Sequence, residues 1–113
     1  MIKIGLCGLG TVGRSFVEHI DESYNLIKKK VGTNFEIAAI ADRSIKNKKH
    51  KTGIQISEDP MSLIDIEDLD IVVELIGNVD LSYNILKQSI INKKQVITAN
   101  KALIAKHGKE LFE

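Results

Sequence analysis

Gly8-Leu9-Gly10-Thr11-Val12-Gly13 constrains this chain more than any other stretch, because of what stands on either side of it. Upstream, Ile2, Ile4 and Leu6 alternate with Lys3 and Gly5, which predicts a strand over 2–7. Downstream, Val12, Phe16, Val17, Ile20, Tyr24 and Ile27 recur at helical spacing, which predicts a helix over about 12–30. A strand, then G-x-G-x-x-G, then a helix is the dinucleotide-binding fingerprint in the context it requires. Each glycine has its own reason. Gly8 permits the tight turn, Gly10 lets the backbone approach a pyrophosphate, and Gly13 lets the helix pack closely on the strand. The helix start at Thr11 and Val12 then aims unpaired N–H groups, and the positive end of the helix dipole, at the phosphates. The plain alternative is a glycine turn that holds no ligand.

The rest of the chain keeps the same alternation. Lys28-Lys29-Lys30 suits the negative end of the first helix, and Gly32-Thr33-Asn34 is a turn. Phe35 to Ala41 is a nearly continuous apolar run, as expected of a parallel strand buried on both faces. Residues 43–58 are polar and basic and predict a loop with a short strand near Ile54–Ile56. Asp59-Pro60 opens a short helix, with Asp59 as its cap. A further buried strand is expected at Asp70–Ile76, then a helix capped by Asp80 and running to about Asn92. Gln95–Thr98 reads as another strand, and Ala102 begins a last helical segment broken near Gly108. The fold class is therefore α/β, a Rossmann-type doubly wound parallel sheet, truncated to about four or five strands.

With 113 residues the chain makes one domain, 1–113, and leaves no segment for a separate substrate or dimerisation domain. Sixteen basic and fifteen acidic side chains give a formal charge of +1, so no global field points to nucleic acid or a membrane surface. No apolar run approaches the roughly 20 residues that cross a bilayer. With a strand beginning at residue 2, a cytoplasmic location is the default. Cys7 falls inside the first strand and reads as a small buried hydrophobe, not a nucleophile.

The residues that carry chemistry lie where strands end. Asp42 follows the second strand, where an acid accepts from the ribose 2′-hydroxyl of NAD; the adjacent Arg43 suits the 2′-phosphate of NADP. Both cofactors stay open, with Arg43 and the lysines behind it favouring NADP. Thr98-Ala99-Asn100-Lys101 leaves a strand at the carboxyl edge, where open parallel sheets bind ligands. A lysine there holds a substrate oxygen, relays a proton, or is simply solvated. Glu74 reads as a hydrogen-bonded structural acid inside a strand, and His19, His50 and His107 show no metal-ligand spacing, so no metal is expected.

G-L-G-T-V-G at 8–13, A-D-R-S at 41–44, V-V-E-L-I-G at 72–77 and V-I-T-A-N-K-A-L-I-A-K-H-G at 96–108 together resemble homoserine dehydrogenase. The resemblance runs along the whole chain, and the T-A-N-K segment is far more specific than the glycines. It implies an NAD(P)-dependent enzyme interconverting aspartate semialdehyde and homoserine, in the aspartate branch that leads to threonine and methionine. In that family the Asn-Lys pair faces nicotinamide and substrate, which here means Asn100 and Lys101, and an arginine matching Arg43 lies near the NADP phosphate. Gly77 keeps the first of the two glycines usual after V-V-E-L-I, and Asn78 replaces the second in a turn it tolerates. Asn92 stands where the family has a glycine before the last strand and is expected to cap the helix in its place. The family's substrate-binding and oligomerising region, with a second catalytic lysine, lies beyond this length. The expectation is a nucleotide-binding domain that does not turn over homoserine alone. Two other readings fit the same residues: the nucleotide domain of another amino-acid or sugar dehydrogenase, or a stand-alone NAD(P)-binding regulatory module.

Overall fold

The computed structural model describes residues 1–47, 53–76 and 79–98. Five parallel strands form one sheet: β1 (Ile2–Cys7), β2 (Phe35–Ala41), β3 (Gln55–Ser57), β4 (Ile71–Glu74) and β5 (Gln95–Thr98), in the order β3-β2-β1-β4-β5. This is the Rossmann-like sheet that the sequence predicts, with its order reversing beside β1. The last predicted helix, from Ala102, lies outside the described residues.

The pleat of β1 divides the core in two. Ile4 and Leu6 face one side, where Phe16, Val17, Ile20, Tyr24 and Ile27 pack over them; Cys7 faces the other, against Leu63, Leu69, Ile85 and Leu86. Gly5 sits on that second face, where a Cβ would come within 2.6 Å of the Leu69 side chain. None of the described helices is long and apolar enough to cross a membrane.

The first helical pattern divides into α1 (Thr11–Glu22) and α2 (Tyr24–Val31), with Ser23 at φ −104°, ψ 15° between them. A straight helix over 12–30 would reach nearly 30 Å, well past a six-residue strand of about 20 Å. The break keeps the second half on the sheet and sets the Tyr24 ring 4.7 Å from Phe35. Gly32, at φ +84°, ends α2 in the left-handed conformation, behind three lysines that complement its dipole.

Other expectations shift by a few residues, each for a visible reason. β3 runs one residue later than expected and pairs Gln55 with Ala39. β4 stops at Glu74 because the Ile76 amide turns to the Glu74 side chain, although Leu75 still bonds to the Cys7 carbonyl. Asp59 does cap the turn that follows it, its Oδ1 accepting from Met61 at 3.0 Å, but Pro60–Asp65 is a tight 3-10 helix. α3 (Val79–Ile91) includes Asp80 in its first turn, so Asp80 complements the helix dipole from inside and is not the cap.

The close of α3 is also corrected. The left-handed residue is Lys93, at φ 60°, and not Asn92. The Lys94 amide reaches back to the Ser89 carbonyl, while Asn92 caps through its side chain, donating from Nδ2 to Gln88 at 2.8 Å. That turn directs Lys94 Nζ onto the carbonyls of Ile66 and Leu69, at 2.6 and 3.0 Å. The two sheet-flanking segments before β4 and β5 are thereby tied together.

Candidate functional site

At the carboxyl end of the sheet the backbone folds around the glycines. Gly8 takes φ +101° and donates to the Ala41 carbonyl at 2.8 Å. A Cβ there would stand 3.1 Å from the Leu75 carbonyl, so the loop after β1 and the chain leaving β4 approach this closely only because Gly8 has no side chain. At Gly13 a Cβ would run into the Gly8 carbonyl oxygen, which fixes how closely α1 approaches the loop.

Gly10 has a different need. It occupies the N-cap of α1, and a Cβ on it would meet nothing within 4 Å. Among the described residues, nothing in the packing requires glycine there. Its lack of a side chain leaves space in front of the first turn, where Thr11 and Val12 are exposed and which itself carries no acidic residue. A backbone N–H array with an open approach and a positive dipole takes an anionic group. The residues thus fit the pyrophosphate of a dinucleotide.

Gly8, Gly10, Asp42 and Arg43 line one cleft of about 260 Å³, closed by Pro60, Leu75, Ile76 and Leu81. The glycine loop and the end of β2 meet there through Asp42. Its Oδ2 accepts from the Leu9 amide and its Oδ1 from the Ser44 amide, both at 2.7 Å. Arg43, next in the chain, is exposed at the rim. Leu81 and Pro60 were not legible as cleft residues, since only the folding of α3 and of the 3-10 helix onto the same sheet end brings them in. A wider hollow of about 700 Å³ opens by Lys3, Tyr24, Glu36 and Ile66. It lies toward the start of the strands, away from the glycine loop after β1 and the N-terminus of α1, so the smaller cleft is the candidate site.

β4 ends beside this cleft, and Thr98, at the end of β5, pairs with Glu74 of β4 without lining the cleft. Glu74 is fully buried, with Oε1 accepting from the Ile76 amide at 2.7 Å and Oε2 from the Thr98 hydroxyl at 2.6 Å. Burial, and then the charge of Glu74, push the Cys7 thiol up to about 12, which keeps it protonated and unreactive. Of the other sequence-predicted site residues, Gly77, Ala99, Asn100 and Lys101 lie outside the described residues.

Over residues 8–113 the chain matches the family model described as homoserine dehydrogenase, NAD binding domain. It belongs to that family. The homoserine dehydrogenase of Pseudomonas aeruginosa is 39% identical over 111 residues, covering 98% of this chain and 26% of the relative. That of Helicobacter pylori is 40% identical over 111 residues, with 97% and 26% covered. A crystal structure of a homoserine dehydrogenase from Thiobacillus denitrificans superposes with a TM-score of 0.91 at 35% identity, over 98% of this chain and 26% of that one. The S. aureus enzyme at pH 7.0 gives 0.84 at 36%, over 97% and 29%. This homoserine dehydrogenase nucleotide domain thus spans about a quarter of the length of the relatives it matches. Its family assigns it a nicotinamide nucleotide as cofactor, in agreement with the cleft.

Proposed function

We propose that this domain binds NADP in preference to NAD and serves an enzyme that interconverts aspartate semialdehyde and homoserine. One observation carries the cofactor preference: both Asp42 oxygens already accept backbone amides, while Arg43 stands exposed at the rim of the same cleft. A carboxylate occupied in bracing the loop is a weaker partner for a 2′-hydroxyl, and a guanidinium at the rim is well suited to a 2′-phosphate. Gly8, Gly10 and Gly13, with the amides of Thr11 and Val12, cradle the pyrophosphate. Gly77, Thr98, Ala99 and Asn100 form the nicotinamide side.

When bound, the nicotinamide supplies the hydride. The chain's own part is placement. The α1 terminus neutralises phosphate charge, Arg43 anchors the adenosine end, and Lys101 orients the substrate oxygen or relays its proton. Because the chain spans 26% of its relatives' length, we propose that alone it binds cofactor without turning over homoserine. Parallel calorimetric titrations of the chain and of Arg43→Ala test the preference. NADP⁺ binding tenfold tighter than NAD⁺, a difference of about 1.4 kcal/mol, and loss of that margin in Arg43→Ala support it. An equal or reversed preference in the unaltered chain overturns it, as homoserine oxidation by the chain alone overturns the second claim.

A further inference from the structure

We propose that Glu74 is a positioning residue for the nicotinamide end of the cofactor, acting through the segments that leave β4 and β5. The inference rests on the nucleotide-binding function above and adds a residue to it. Glu74 closes β4 opposite Cys7 of β1 and has no exposed surface. Its two oxygens bind the Ile76 amide and the Thr98 hydroxyl. Ile76 stands one residue before Gly77, and Thr98 one residue before Ala99. A single carboxylate therefore joins two neighbouring strands at the points where the chain leaves the sheet toward the ligand edge.

The same carboxylate shapes the wall of the cleft. Ile76, whose amide it holds, lines the cleft beside Gly8, and a Cβ on Gly8 would stand 3.2 Å from the Ile76 side chain. Moving Ile76 thus shifts the point where the chain passes on to Gly77, on the nicotinamide side of the proposed site. Burying a carboxylate costs far more than burying a neutral acceptor, and among the described residues no cation pairs with Glu74. Charge-assisted bonds at 2.6–2.7 Å compensate by holding geometry that neutral bonds hold about half as firmly. Cohesion of the core would be served as well by an apolar side chain at this position. Fixed placement of two strand ends would not.

The test compares NADPH with 2′-phospho-ADP-ribose, which lacks the nicotinamide ring, by calorimetry on the chain and its Glu74→Gln variant. The unaltered chain is expected to bind NADPH more tightly than the truncated ligand. In Glu74→Gln, NADPH affinity falls about tenfold, as expected for loss of a charged hydrogen bond, while 2′-phospho-ADP-ribose stays within twofold. Thr98→Val, which removes one bond and leaves the carboxylate, gives a smaller loss of the same kind and serves if Glu74→Gln does not fold. Equal weakening of both ligands marks a merely structural acid and overturns the proposal, as does no weakening of either or an unaltered chain that does not prefer NADPH. An unaltered chain that binds neither ligand overturns the nucleotide-binding function itself.

Discussion

The Asp42 carboxylate accepts a 2.7 Å hydrogen bond from the amide of Leu9, the residue between the first two glycines of the loop. The end of β2 and the turn after β1 are thus held to each other by one side chain, while Ser44 occupies its second oxygen. Asp42 shapes the loop before it meets any ligand.

Asp42→Ala removes both acceptors and leaves the two amides without their partner. We expect a loss of stability of about 1–3 kcal/mol and weaker binding of NAD⁺ and NADP⁺ alike, read by denaturant melts and calorimetry. A variant that loses only NAD⁺ would show that the ribose contact outweighs the brace.

Gly10 and Gly13 separate space for the ligand from space for the fold. Alanine at Gly10 enters an open volume, so Gly10→Ala is expected to melt within a few degrees of the parent while losing cofactor binding. Alanine at Gly13 meets the Gly8 carbonyl, which has no room to yield, and Gly13→Ala is expected to cost about 1–3 kcal/mol as well as binding. Thermal melts and titrations of both variants decide it. Equal melting points for the two would contradict the account.

These distinctions mark what was legible in the chain. The apolar runs of β1, β2 and β4 and the glycines behind β1 encode strands, layers and the loop locally, and the structure follows them. The break at Ser23 was not legible, because it depends on how far the sheet extends beneath the helix. Nor was the left-handed Lys93: Asn92 carried the local preference, but the geometry that seats Lys94 on Ile66 and Leu69 prevailed. Asp42 was expected at the ligand edge from its place after β2, and it lines the candidate cleft. Its bond to Leu9 joins residues far apart in the chain, and no spacing rule reports it.

Cys7 makes the pH dependence asymmetric. Its thiol, ordinarily near 9, is pushed up to about 12 in the folded protein, so the fold favours the protonated form. That stability is fully present below about 9 and is lost as pH rises toward 12. Denaturant melts across this range should fall more steeply for the parent than for Cys7→Ala. Parallel curves would mean that the folded thiol titrates normally.

The central claim is that the glycine cleft, and not the wider hollow at the other end of the sheet, takes the dinucleotide. Amide chemical-shift mapping of the labelled chain during titration with NADP⁺ tests it most directly. The account predicts that the largest changes fall on Leu9 to Gly13, Arg43, Ser44 and Ile76, with Tyr24, Glu36 and Ile66 unmoved. Changes centred on Tyr24, Glu36 and Ile66 would contradict it.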